Sequence, residues 1–154
     1  MTKTFDYTAL YGKVSRSLSI IAKRSTDENG NRLFADITLG TNEKGIIEDY
    51  FRQAVIDLVT ELEAFITAET DTSFTVTLPS NHKSALEPSI GKSCDEYCVS
   101  YALYSWFTIS APRIADKYLG DMKRQLSAVI RLVNEKEAPT GSADIVSSTS
   151  TVIT

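Results

Sequence analysis

Residues 42–69 read NEKGIIEDYFRQAVIDLVTELEAFITAE, and no other stretch of the chain carries so sustained a pattern. Ile46, Ile47, Tyr50, Phe51, Ala54, Val55, Leu58, Leu62, Phe65 and Ile66 recur at spacings of three and four. That period predicts a long helix, and the breadth of the apolar stripe predicts packing on more than one side. Thr41 or Asn42 can cap its start, with Glu43 in the first turn. The outer face is acidic: seven carboxylates against Lys44 and Arg52 give residues 42–69 a net charge of −5. Acids that point outward by period are a solvated face before they are a catalytic pair.

Upstream, Tyr7, Leu10, Tyr11, Val14, Leu18 and Ile21 form a second helical stripe over 5–24, with Thr4 as expected N-cap. Lys13, Arg16, Lys23 and Arg24 lie on the opposite side, a basic face that favours the helix C-terminus and offers a docking surface for an acidic partner or for DNA. Between these helices, Asp27-Glu28-Asn29-Gly30-Asn31 signals a turn, and the alternation over 33–39 predicts a short strand. Phe74, Val76 and Leu78 alternate with threonines up to Pro79, a second strand over 74–78 that could pair with the first.

Residues 79–92 read as a polar loop holding His82. Ser93-Cys94-Asp95-Glu96 fits a capping box and predicts a helix over 93–110. Its aromatics fall on two sides, Tyr97, Tyr101 and Tyr104 on one and Trp106 and Phe107 on another, so Tyr101 and Trp106 are candidates for an interface. Pro112 suits the first turn of a last helix over 112–137. Residues 138–154 hold eight Ser or Thr and one charge, Asp144. Ile145, Val146, Val152 and Ile153 make both ends of this tail β-prone, which suits strand addition to a neighbouring chain. The expected architecture is thus mostly α: a four-helix bundle-like domain over 1–137, a small two-stranded β element and an extended C-terminal tail.

Composition narrows the function. The 154 residues carry 16 basic and 20 acidic side chains, a net charge of −4, where a dedicated nucleic-acid binder would be basic. No apolar run reaches the length of a membrane span, and the start lacks the apolar segment of a signal peptide, so no membrane association is expected. Cys94 and Cys98 share a helix face but lack further ligands, since the chain has one histidine and position 101 is a tyrosine. Two small buried thiols are the expected outcome. Gly91-Lys92-Ser93 resembles the end of a phosphate loop, yet Leu86 stands where a glycine is required. No catalytic residue, metal site or cofactor is expected, and the chain reads as a non-enzyme.

The order of elements resembles the small head-to-tail connector proteins, adaptors or neck rings, of tailed bacteriophages. Asp36-Ile37-Thr38-Leu39-Gly40 leading into Gly45-Ile46-Ile47-Glu48-Asp49-Tyr50 and Ala54-Val55 carries the likeness. So do Trp106-Phe107 with Ala115-Asp116-Lys117-Tyr118, and the closing helix Gln125-Leu126-Ser127-Ala128-Val129-Ile130-Arg131-Leu132-Val133. The resemblance implies a structural virion protein, made in the bacterial host cytoplasm. It implies a homo-oligomeric ring, commonly of about twelve copies, between the portal and the tail or other neck proteins, with DNA passing through the channel. Lys13, Arg16, Lys23, Arg24, Tyr101, Trp106 and the four tail residues named above are the expected interface positions. Two other readings compete. One is a small helical ligand-binding or enzymatic domain with a pocket near Tyr97, Tyr101 and Trp106. The other is a monomeric regulatory protein that binds one partner.

Overall fold

The computed structural model describes residues 1–31, 39–79 and 82–136. Its order is β1 (Thr2–Asp6), α1 (Tyr7–Arg24), α2 (Thr41–Glu61), β2 (Phe65–Thr70), β3 (Ser73–Thr77), a 3₁₀ turn (Ser84–Leu86), α3 (Glu87–Ser110) and α4 (Pro112–Asn134). Among the described residues the protein is mostly α, with four helices and a small sheet. The expected strand at 33–39 falls almost wholly outside the described residues, as does the expected tail.

α3 is the axis of the domain and packs against α1, α2 and α4. Tyr97, Cys98, Val99 and Ser100 are consecutive and all buried. Four successive residues span more than a full helical turn, so this part of α3 is enclosed on every side. α4 forms a hairpin with α3 across the Ser110–Ala111 corner. Pro112 starts α4 as its spacing predicted, because the first turn needs neither its missing N–H nor a free φ. Phe107 and Tyr118 lie face to face across this hairpin, their rings 5.5 Å apart and 7° from parallel.

The sheet corrects two expectations. Among the described residues it has three strands, ordered β1-β3-β2 and antiparallel throughout, where two were expected. β3 is central, with its alternating Phe74 and Val76 turned into the core. The N-terminus supplies β1, so Thr4 is inside a strand, paired with Thr75, and Asp6 caps α1 instead. The Asp6 carboxylate accepts from the amides of Thr8 at 2.8 Å and Ala9 at 3.1 Å. Asp6→Ala should therefore cost about 1 kcal/mol of stability in a urea titration. A change below ~0.3 kcal/mol would show the cap to be idle.

α2 ends at Glu61, not at 69. Leu62 caps it, and Glu63 takes a left-handed backbone with φ of 50°, which turns the chain sharply. Phe65, Ile66 and Thr67 continue the helical spacing but are aromatic or β-branched, and the free edge of β3 takes them as β2. Arg52 links the two elements, with its guanidinium 3.9 Å from Glu69 of β2 and 3.8 Å from Asp49 of α2.

α3 begins six residues earlier than the capping box implied. Glu87 and Pro88 open it, so Ser93 and Glu96 are interior helical residues and cap nothing. His82 precedes this start as a buried loop residue. Its Nδ1 lies 2.7 Å from the Pro79 carbonyl, and its Nε2 lies 3.4 Å from Glu87. The ring thereby pins the loop to the first turn of α3.

Candidate interaction surfaces

The basic face of α1 divides on inspection. Lys13 is held inside the chain, 3.5 Å from Asp95 and 4.0 Å from Glu96 of α3. Asp95 also receives Lys3 of β1 at 2.8 Å, so this carboxylate joins three elements. Arg16, Lys23 and Arg24 are exposed. Of the expected basic surface, these three remain available and Lys13 serves the fold. Ile145, Val146, Val152 and Ile153 lie outside the described residues.

The aromatic residues of α3 also separate. Tyr97 is buried against Tyr101, with ring centroids 6.1 Å apart. Burial, together with the nearby Asp57 carboxylate, pushes the ionisation of both tyrosines up. Trp106, five residues beyond Tyr101, lines a different feature. It lines an apolar cleft of about 200 Å³ with Ile46 and Tyr50 of α2 and Ile109 and Ser110 of α3. Ile109 is 81% exposed and Ile46 is 45% exposed. Trp106 Nε1 is buried with no acceptor among the described residues. Trp106 has a cleft of its own, and neither Tyr97 nor Tyr101 lines it.

Ile46 and Ile109 were not foreseen as surface residues, yet a signal existed. Adjacent helical residues stand 100° apart, so the Ile46-Ile47 pair cannot both face one core. Ile47 is fully buried and Ile46 is left outside. Phe107 and Ile109 divide in the same way, the first inside and the second out.

β2 is the second surface. All six of its residues are exposed, Phe65 by 72%. β3 pairs with one edge of β2, and no described residue pairs with the other. An uncovered edge presents unpaired amides and carbonyls and is a template for another strand. Beside it, Glu61, Leu62, Glu63 and Pro79 border a hollow of about 350 Å³ with Val133 and Asn134. α4 therefore delivers the chain toward its C-terminal segment next to the turn that leads from α2 into β2.

The remaining chemistry-bearing residues are enclosed. Cys94 and Cys98 are free thiols with no exposed surface. Burial pushes Cys94 up to about 12 and Cys98 well above its usual value. A thiol held protonated is a poor nucleophile and a poor metal ligand. Gly91-Lys92-Ser93 is a regular part of α3, with Met1 against Gly91. Among the described residues, no three His, Cys, Asp or Glu side chains converge as a metal site would require. No described helix is long and apolar enough to cross a membrane. Comparison with protein-family models, with curated proteins and with solved structures finds no match to this chain.

Proposed function

We propose that this chain is a structural assembly subunit, a virion protein that forms a ring in the head-to-tail connector between portal and tail. The observation that carries this reading is β2, a six-residue strand exposed on both faces with one edge uncovered among the described residues. A monomer that worked alone would gain nothing by leaving such an edge open, and natural sheets usually blunt theirs. The resemblance of the stretches 36–55, 106–118 and 125–133 to neck proteins supplies the setting, although β1 and β2 depart from the expected order of elements. The apolar cleft at Trp106 adds a second surface suited to a protein partner. DNA passing through the channel would meet an acidic protein that does not grip it, in keeping with the net charge of −4.

The tail fits the same scheme. Residues 138–154 combine β-prone ends with a nearly uncharged middle, and α4 ends beside the turn that leads from α2 into β2. The segment from Ile145 to Ile153 is long enough to pair with the whole of β2 on a neighbouring copy. A chain truncated after Pro139 should keep its helical circular dichroism and thermal midpoint and lose ring formation with the portal, read by native mass spectrometry. Rings of unchanged mass and stability after truncation would remove the tail from the assembly.

A further inference from the structure

Two exposed apolar features mark opposite ends of α2. Ile46 is in its second turn beside the Trp106 cleft, and Phe65 follows its C-terminus. About 22 Å of helix separates Ile46 from Glu61, so Phe65 cannot reach the cleft of its own chain. The cleft is too small for a typical small-molecule ligand, which fills ~300 Å³ or more. It is suited to one aromatic side chain. Its walls, Ile46, Tyr50, Trp106 and Ile109, offer a phenyl ring apolar contact on several sides.

Charge agrees with that fit. Glu63 borders the same hollow as Phe65 and has no ion-pair partner among the described residues. Arg113 is exposed three residues beyond Ser110 of the cleft and is also unpaired among them. Asp49, next to Tyr50 in sequence, pairs with Arg52 at 3.8 Å. An incoming copy would therefore bring a carboxylate with its phenyl ring toward a free guanidinium.

We propose that Phe65 of one copy seats in the Ile46–Tyr50–Trp106–Ile109 cleft of a second copy, with Glu63 facing the second copy's Arg113. The contact is heterologous: each copy gives a ring at one end and takes one at the other. Such contacts propagate, and they close into a ring when the rotation allows. The proposal rests on the self-assembly reading above and adds to it the joint between neighbours.

The test uses the full chain, Phe65→Glu and Ile109→Glu. Both side chains are exposed, so circular dichroism and thermal midpoint should not change. In sedimentation velocity up to ~1 mM, wild type should grow with concentration, and each variant alone should associate at least ~10-fold more weakly. An equimolar mixture of the variants should give a heterodimer and nothing larger. Phe65→Glu keeps an intact cleft and Ile109→Glu keeps an intact phenyl ring, so one productive joint remains. Wild type that stays monomeric, or variants that associate as wild type does, would overturn the contact. So would a mixture that forms no heterodimer. Normal rings formed with the portal by Phe65→Glu would sink this joint and leave the ring reading standing. Wild type that forms rings neither alone nor with the portal would sink both.

Discussion

Phe51→Ala should lower the unfolding free energy by about 3–5 kcal/mol, the range for emptying a large buried aromatic site. Phe51 is fully buried, and its ring stacks on Tyr7 with centroids 6.0 Å apart. Tyr7 in turn meets Phe74 edge-on at 6.0 Å. The three rings come from α2, the first residue of α1 and the central strand β3. The cavity would thus open where helices and sheet join, among rigid rings that cannot collapse to fill it. Domains of this size are commonly stable by ~5–15 kcal/mol, so the loss is a large fraction of the total. A denaturant titration measures it directly. Ile109→Ser is the matched control, because an 81% exposed side chain should move stability by no more than ~0.5 kcal/mol. A Phe51→Ala loss below ~1 kcal/mol would mean that the three rings do not form the joint described.

The buried thiols should make the fold sensitive to alkali while leaving it indifferent to thiol reagents at neutral pH. Burial pushes the Cys94 thiol from an ordinary 9.0 up to about 12 in the folded chain, because it denies the thiolate its water. Tyr7 is raised from 10.0 to about 12, again chiefly by burial and against the pull of Arg52. For both groups the folded value lies above the unfolded one. Their contribution is complete below about pH 9, and it is lost as pH rises toward 12, where the unfolded chain gains from ionising first. Each unit is worth about 1.4 kcal/mol per group. Cys94 alone should remove roughly 3 kcal/mol by pH 11.5, with Tyr7 and Cys98 acting in the same direction. Urea titrations from pH 7 to 11.5 would show this decline. At pH 8 the folded protein should leave both cysteines unmodified by a thiol-specific dye, and the denatured protein should react at both. Rapid modification of the folded chain would place these thiols at the surface.

The parts legible in the sequence are those where local pattern and tertiary demand agree. Pro112 fixes the start of α4 and the alternation at Phe74 and Val76 marks β3, whereas α2 begins at Thr41 with Gly40 in the cap position and no side-chain bond, so neither Thr41 nor Asn42 caps it as expected. The errors occur where tertiary pairing overrides a local pattern. Phe65 and Ile66 extend the spacing set by Leu58 and Leu62, so periodicity alone carries the helix past Glu61. Only the uncovered edge of β3 makes a strand the better solution, and that edge is invisible in a linear reading. β1 contributes a single buried apolar residue, Phe5, too little for any period to show. Pro88 looked like a loop residue because the Ser93 to Glu96 pattern seemed to start the helix. Its ring is equally suited to the first turn that it occupies.

The surfaces were half legible for a similar reason. Trp106 stood out by residue type, whereas Tyr101 shared that signal and is tied to Tyr97 and Asp57. Lys13 read as part of a solvated face, and no sequence pattern shows that Asp95, far along the chain, lies opposite it. The cleft needs α2 and α3 to bring Ile46 and Ile109 together, a tertiary fact with no local trace.

Cryo-electron microscopy of tailed-phage particles assembled with this chain tests the proposed ring role most directly. The account predicts a closed ring of copies at the junction of head and tail, with Phe65 of each copy against Trp106 of the next and DNA density through the channel. A lone copy elsewhere in the particle, or a free monomer that transforms a substrate, would contradict it.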